Sequence, residues 1–340
     1  MNDGLIRNGW YQGAWSEEIA PAGMLARTLL GEALVLARGA DGEAFALADS
    51  CPHRFVPLSR GKFDGQNIAC AYHGLQFDKS GECVHSPQGA VAQGTKAGRF
   101  PLAERQGRLW IWFGDPDQAD PSRVPHLAGI DSIPASARRH ATMHLDCGWQ
   151  LLIDNLMDLS HSDFVHPAFG DFVSHAQMTV NDDGNGVTAR WNATDVSTPI
   201  IHKRFIDADR VDTWVQSQWQ MPSAISVEAS ATPVGQPTDR ALWSLHAITP
   251  ESTEKSYYFY EFSRNFDVAD EELSDFMSSM GAQAFEREDR PILELQQVAL
   301  GKRDVFERKP LVLAGDRAAV LVRRKLSQLD RMASGSAEDV

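Results

Sequence analysis

The sequence predicts an α+β protein of two domains, an N-terminal all-β module and a second domain combining an antiparallel sheet with helices. Three observations carry this. Up to about Asp115 the chain reads as short strands punctuated by Gly and Asp. From Met143 apolar residues recur at helical spacing. After residue 176 strand-like alternation returns, followed from about Asp270 by a long helical pattern. At 340 residues, 43% hydrophobic and 23% charged, such a chain can bury a sizeable core.

The expected organisation is a module over 5–118, a linker over 119–140, a second domain over 141–328 and a flexible tail over 329–340. In the module, EALVLARG (32–39), EAFALAD (43–49) and RLWIWFG (108–114) read as strands. The linker carries DPDQADPSRVPH and SIPASA, rich in Pro, Asp and Ser. WQLLIDNLMDLSHSDFVH (149–166) reads as one amphipathic helix. AQMTVNDDGNGVTARWNA (176–193) reads as paired strands with a hairpin turn at DDGNG. Further strands are expected around 213–230, 240–248 and 255–264, then a helix to Leu300 kinked or broken at Pro291.

A net charge of -14 lacks the basic face that nucleic acid would require, and makes an anionic membrane surface a poor partner. No basic segment followed by an apolar stretch opens the chain, and no apolar run approaches the roughly 18 residues of a membrane span. The expectation is a soluble, cytoplasmic protein with no membrane partner. In a reducing compartment Cys51, Cys70, Cys83 and Cys147 are better read as metal ligands or free thiols than as disulfides.

Two stretches concentrate metal-ligand chemistry. CPH at 51–53 and CAYHG at 70–74 give C-x-H, 16 residues, then C-x-x-H, one thiolate and one imidazole per loop. Two Cys and two His would serve zinc, but structural zinc loops usually present paired cysteines. Mixed pairs suit a Rieske [2Fe–2S] cluster, in which one iron takes two Cys and the other two His. The second stretch, DNLMDLSHSDFVH (154–166), holds His161 and His166 with Asp154, Asn155 and Asp158 among apolar residues. A carboxylate from elsewhere would complete a 2-His-1-carboxylate site for ferrous iron with positions open for dioxygen. The alternative, satisfied core histidines, would bury many polar groups at a cost.

CPHRFVPLSRG and CAYHGLQFDKSGEC resemble the cluster loops of Rieske ring-hydroxylating oxygenases, and D-x-x-H-x-x-x-x-H over 158–166 resembles their mononuclear iron motif. RNGWYQGAWSEEI and SRNF (263–266) narrow the likeness to the short single-subunit group that includes vanillate O-demethylase and dicamba monooxygenase, over residues 6 to 325. The resemblance implies a helix-grip second domain and cluster ligands Cys51, His53, Cys70 and His73. It implies iron ligands His161, His166 and Asp289; the residues alone cannot choose Asp289 over Glu286, Glu288 or Glu294. Asn155 would lie beside the iron. Asp158 would bridge the iron site to His73 of a neighbouring subunit, in a homotrimer. Substrate contacts would include His246, with Val227 and Met280 where dicamba monooxygenase has polar or indole side chains, so a differently shaped pocket is expected.

The implied function is the terminal oxygenase of a multicomponent monooxygenase, with a [2Fe–2S] cluster and Fe(2+), oxidising an aromatic acid with dioxygen, foremost by O-demethylation. Ring or methyl hydroxylation and ether cleavage use the same centre. A non-catalytic Rieske electron carrier or ligand-binding protein is the alternative of another class. GNGVTA (184–189) lies in the expected hairpin and GAVAQGTK (89–96) inverts the end of a P-loop, so neither reads as a nucleotide site. Electrons must then come from a separate NAD(P)H-dependent reductase, with or without a ferredoxin.

Overall fold

In RVDTWVQSQWQ every second residue is buried, so one face of this strand, carrying Val211, Val215 and Trp219, must be covered. The computed structural model, which describes residues 4–126, 130–170, 173–184 and 186–333, resolves into two compact units, Arg7–His126 and the remainder of the chain.

The first unit is all β. Gly9–Trp15, Arg108–Phe113 and Leu102–Arg105 form one antiparallel sheet, and Gly23–Leu29, Glu32–Arg38, Ala44–Ala48 and Arg99–Phe100 a second. A third is built from the short strands Lys62–Phe63, Ile68–Ala69, Gln76–Phe77 and Cys83–His85. Val35, Leu47, Leu58, Ile68 and Phe77 pack as a buried cluster that also takes in Cys51 and Cys70. Among the described residues, short 3-10 turns at Pro121–Arg123, Ile130–Ser132 and Ala135–Ala137 lie within the expected linker.

The second unit is one seven-stranded antiparallel sheet, in the order Arg138–Leu145, Ser256–Arg264, Leu242–Pro250, Ala224–Pro233, Arg210–Gln220, Gly186–Ser197, Gln177–Asp182. Its helices are α1 (Trp149–Met157), α2 (Ser162–Val165), α3 (Glu271–Ala282), α4 (Arg290–Leu300) and α5 (Arg317–Ala333). Leu152 and Leu156 of α1 meet Val322 and Leu326 of α5 in a core that includes Trp191 and Trp219 from the sheet. No helix among the described residues is long and apolar enough to cross a membrane.

Several local expectations change. The single helix over 149–166 is broken: Asp158 is extended (φ -124°, ψ 94°) and its carboxylate accepts from the Ser160 N–H at 2.9 Å, capping a 3-10 turn over Leu159–His161. An Asp side chain competes in this way with the next helical turn. The 213–230 stretch is two strands, Arg210–Gln220 and Ala224–Pro233. Between α3 and α4 the chain does not break at Pro291, which sits in the first turn of α4. The irregularity comes earlier, as a π-helix over Gln283–Asp289. α5, which the sequence expectations do not include, extends through Ala333 into the expected tail. Asn185 of the expected hairpin turn and residues 334–340 of the tail lie outside the described residues.

Candidate metal centres

The two Cys–His loops are built alike. The Cys51 N–H donates to the Val56 carbonyl (2.9 Å) and the Cys51 carbonyl accepts from the Phe55 N–H (2.8 Å); Cys70 repeats this with Leu75 (2.8 Å) and Gly74 (3.0 Å). The fourth residue after each cysteine has a left-handed backbone, Phe55 at φ 60° and Gly74 at φ 72°; glycine adopts this without the steric cost that Phe55 bears. Both cysteines are buried, whereas His53 is exposed and His73 half-exposed, their rings 4.5 Å apart. Burial pushes the Cys51 thiol up, with the Cys70 thiol beside it adding to the shift, so ligation is what would make it a thiolate. Two thiols inward and two imidazoles outward is the donor set of a Rieske cluster. Cys83 and Cys147 are free; Cys83 and His85 lie on a short strand of the third sheet.

In the second unit, His161, His166 and Asp289 offer ligand atoms all within 4.8 Å of one another. His161 ends the 3-10 turn, and its Nδ1 is 2.6 Å from the Asp158 carbonyl. His166 closes α2 because Pro167 follows it, which disfavours helical backbone there. Its Nδ1 is 2.7 Å from the Glu288 carboxylate. With both Nδ1 atoms held, both Nε2 atoms face Asp289 Oδ1, at 3.5 Å from His161 and 3.3 Å from His166. Outer partners of this kind fix ring orientation and tautomer. Burial opposes a charge on His166, but the Asp289 and Glu288 carboxylates outweigh it and raise its pKa. Asn155 Nδ2 donates to Asp289 Oδ1 at 3.2 Å and lies 3.2 Å from His161 Nε2.

The π-helix and the start of α4 sort the four candidate acids. Asp289 is buried at 5% exposure beside the histidines. Glu288 holds His166, Glu286 accepts from the Tyr260 hydroxyl (3.2 Å), and Glu294 pairs with Arg290 (2.8 Å). Asp154 is not at this centre: it pairs with buried Arg323 of α5, at 2.6 Å, in a network with Asp304 and Gln150.

The centre opens on a cavity of about 180 Å³ between sheet and helices, lined among others by Asn155, His161, His166, Ile201, His202, Trp214, Val227, His246, Phe285 and Asp289. Phe262 and Phe285 stack at 5.7 Å along one wall. Gly281 permits this, because a Cβ there would fall 2.0 Å from the Phe262 ring. Val227 lines the cavity. Met280 does not: α3 presents Met277 and Gly281, four apart on one face, while Met280 is turned about 100° from Gly281. His246 lies fully buried, its Nδ1 2.7 Å from the Tyr258 hydroxyl and its Nε2 2.8 Å from Ser244 Oγ. Burial drives its pKa down to about 3.

Residues 9–95 match the Rieske [2Fe-2S] domain and residues 145–332 the vanillate O-demethylase oxygenase C-terminal domain. The oxygenase component of dicamba O-demethylase from Stenotrophomonas maltophilia is 35% identical over 336 residues, covering 96% of this chain and 98% of the relative. The oxygenase component of chloroacetanilide N-alkylformylase from Rhizorhabdus wittichii is 34% identical, with 95% and 94% covered. A crystal structure of dicamba monooxygenase bound to 3,6-dichlorosalicylic acid is similar, with a TM-score of 0.89 at 34% identity, covering 96% of this chain and 98% of that one.

Proposed function

The chain belongs to the Rieske oxygenases whose catalytic half is the vanillate O-demethylase oxygenase C-terminal domain, and from that premise we propose that it is a terminal oxygenase that removes a methyl group from an aromatic acid. The observation that carries this reading is the convergence of His161, His166 and Asp289 at the edge of an apolar cavity of single-ring size. Two imidazoles and one carboxylate fit ferrous iron and leave coordination positions free. Iron held there would supply dioxygen activation, and a cluster held by Cys51, His53, Cys70 and His73 would supply electrons one at a time. Overall, an aryl methyl ether, dioxygen, two electrons and two protons give a phenol, formaldehyde and water. The electrons enter from a separate NAD(P)H-dependent reductase, directly or through a ferredoxin.

The protein's own part is positioning. Glu288 and the Asp158 carbonyl keep both Nε2 atoms directed at one point. Asn155 donates to Asp289 and steadies the carboxylate that completes the set. Phe285, Val227 and Trp214 exclude water from the ring of the substrate. His246 is the group to meet the acid: turning its Nε2–H from Ser244 to the substrate supplies a hydrogen bond, and a carboxylate beside it restores the charged imidazolium that burial disfavours.

Asp158 would link the iron site to the His73 imidazole of the next subunit in a head-to-tail homotrimer. Supporting this, Phe55 (77% exposed) and Tyr72 (57%) flank the outward histidines, and Phe164 (88%) and Leu311 (84%) are exposed on the second unit. The Leu311 segment leads to Gly315, where a Cβ would meet Asp158 Oδ1. Exposed apolar groups of this size mark association surfaces. N-dealkylation by the same centre is the second reading, favoured by the similarity to the N-alkylformylase component.

The test supplies ferrous iron and peroxide to the purified holoprotein, bypassing the reductase, with a panel of methoxybenzoates and N-alkoxymethyl anilides. Formaldehyde with the matching phenol supports the demethylase reading. Dealkylated anilide without phenol moves the reaction to nitrogen, and hydroxylated rings without formaldehyde defeat both.

A further inference from the structure

Besides His166 of the metal set, the cavity is lined by two buried histidines in opposite conditions. His246 has a partner on each ring nitrogen. His202, which lines the same cavity from a 3-10 turn over His202–Arg204, is only 7% exposed, yet its Nδ1 has no hydrogen-bond partner among the described residues. Ser162, set between the two iron histidines, also lines the cavity, and its Oγ is likewise buried without a partner. A buried donor or acceptor left unpaired carries a persistent desolvation cost, and native proteins rarely leave one without a reason. His202 packs edge-on against the Phe205 ring, 5.5 Å between centroids, a contact that leaves its Nδ1 unpaired.

We infer that His202, with Ser162, forms a second polar subsite that receives a neutral hydrogen-bonding substituent, a hydroxyl or carbonyl, on the substrate ring. The inference rests on reading this cavity as the substrate site. The subsite is neutral for two reasons. No described lining residue is a lysine or arginine, so a second anion would enter uncompensated. Burial also holds His202 down at about 4, so at neutral pH it is an uncharged imidazole with one N–H to give and one lone pair to receive. The substrate is thereby described as a ring with three features: the group that is oxidised, a polar group toward His246, and a second, uncharged one toward His202. An apolar ring would leave His202 and Ser162 unpaired after closing out water, and a site built this way discriminates against ligands that lack the hydrogen-bonding group.

The experiment is calorimetric titration of the anaerobic holoenzyme with matched probes. One set is 3-methoxybenzoate and its 2-, 4- and 5-hydroxy derivatives; the other is anisole and the three methoxyphenols. At least one hydroxylated probe should bind about tenfold tighter than its parent. In His202→Leu that advantage should fall to within about twofold, with the parent bound at least as tightly as by the unaltered protein because no unpaired imidazole is left in its complex, and His202→Gln should keep part of the advantage. Retained binding of the parent also shows that the leucine variant folds. The inference is overturned if no hydroxylated probe is preferred or binds, or if the preference survives in His202→Leu. Preferred binding without formaldehyde release in the peroxide assay defeats the demethylase reading and leaves the subsite standing.

Discussion

The two metal-ligand sets differ in almost every physical respect. The cluster set comes from two short loops of the same construction, with thiols buried and imidazoles at the surface. The iron set joins two histidines five positions apart to an aspartate more than a hundred positions further on, with His166 and Asp289 both at about 5% exposure. With a cluster held there, exposed imidazoles of the first set would serve electron transfer. With iron held at the second set, burial would keep its oxygen chemistry from water. The difference teaches that a local loop can define a ligand set by itself, whereas a buried one depends on the packing of the whole domain.

That dependence can be broken from a distance. The largest expected effect is acid sensitivity of the second unit. His202 and His246 are held below the ordinary histidine range by burial, to about 4 and about 3. In the unfolded chain they bind protons near pH 6.5, where the native protein does not. Their contribution is therefore fully present above pH 6.5 and lost as pH falls toward 4, by about 2 kcal/mol for each at pH 5. Urea midpoints should drop over this window in the holoprotein, and drop less in His202→Leu.

Next in size is Arg323→Leu. It strips the partner from Asp154 on α1, the helix that also carries Asn155, and should cost about 3 kcal/mol. Followed by denaturant, loss of near-ultraviolet ellipticity should precede loss of the visible cluster absorbance; simultaneous loss would erase the contrast between the regions. Smaller still, Glu288→Gln should weaken ferrous iron binding about 10- to 100-fold, because His166 Nδ1 loses its carboxylate, with the cluster absorbance unchanged. Iron titration of the metal-depleted second site measures this.

The same contrast explains what the sequence could tell. The α+β class, the antiparallel sheet and both metal motifs were legible because alternation and ligand spacing are local. Asp289 was not separable by residue type from Glu286, Glu288 and Glu294; the π-helix that sorts them leaves no mark in composition. Asp154 reads as a metal-side acid until Arg323, 169 residues later, is folded against it. The Asp158 break and the turned-away Met280 are one-residue matters of backbone that periodicity blurs. His202 carries no motif at all; it is singled out because its Nδ1 has no partner among the described residues.

The measurement that bears most directly on the account is the iron content, spectrum and turnover of His161→Ala prepared beside the unaltered protein. The account predicts that three irons per chain fall to two, that the red-brown cluster absorbance persists, and that formaldehyde release is abolished. A variant that keeps three irons and its turnover would contradict the assignment of His161, His166 and Asp289 as the catalytic centre.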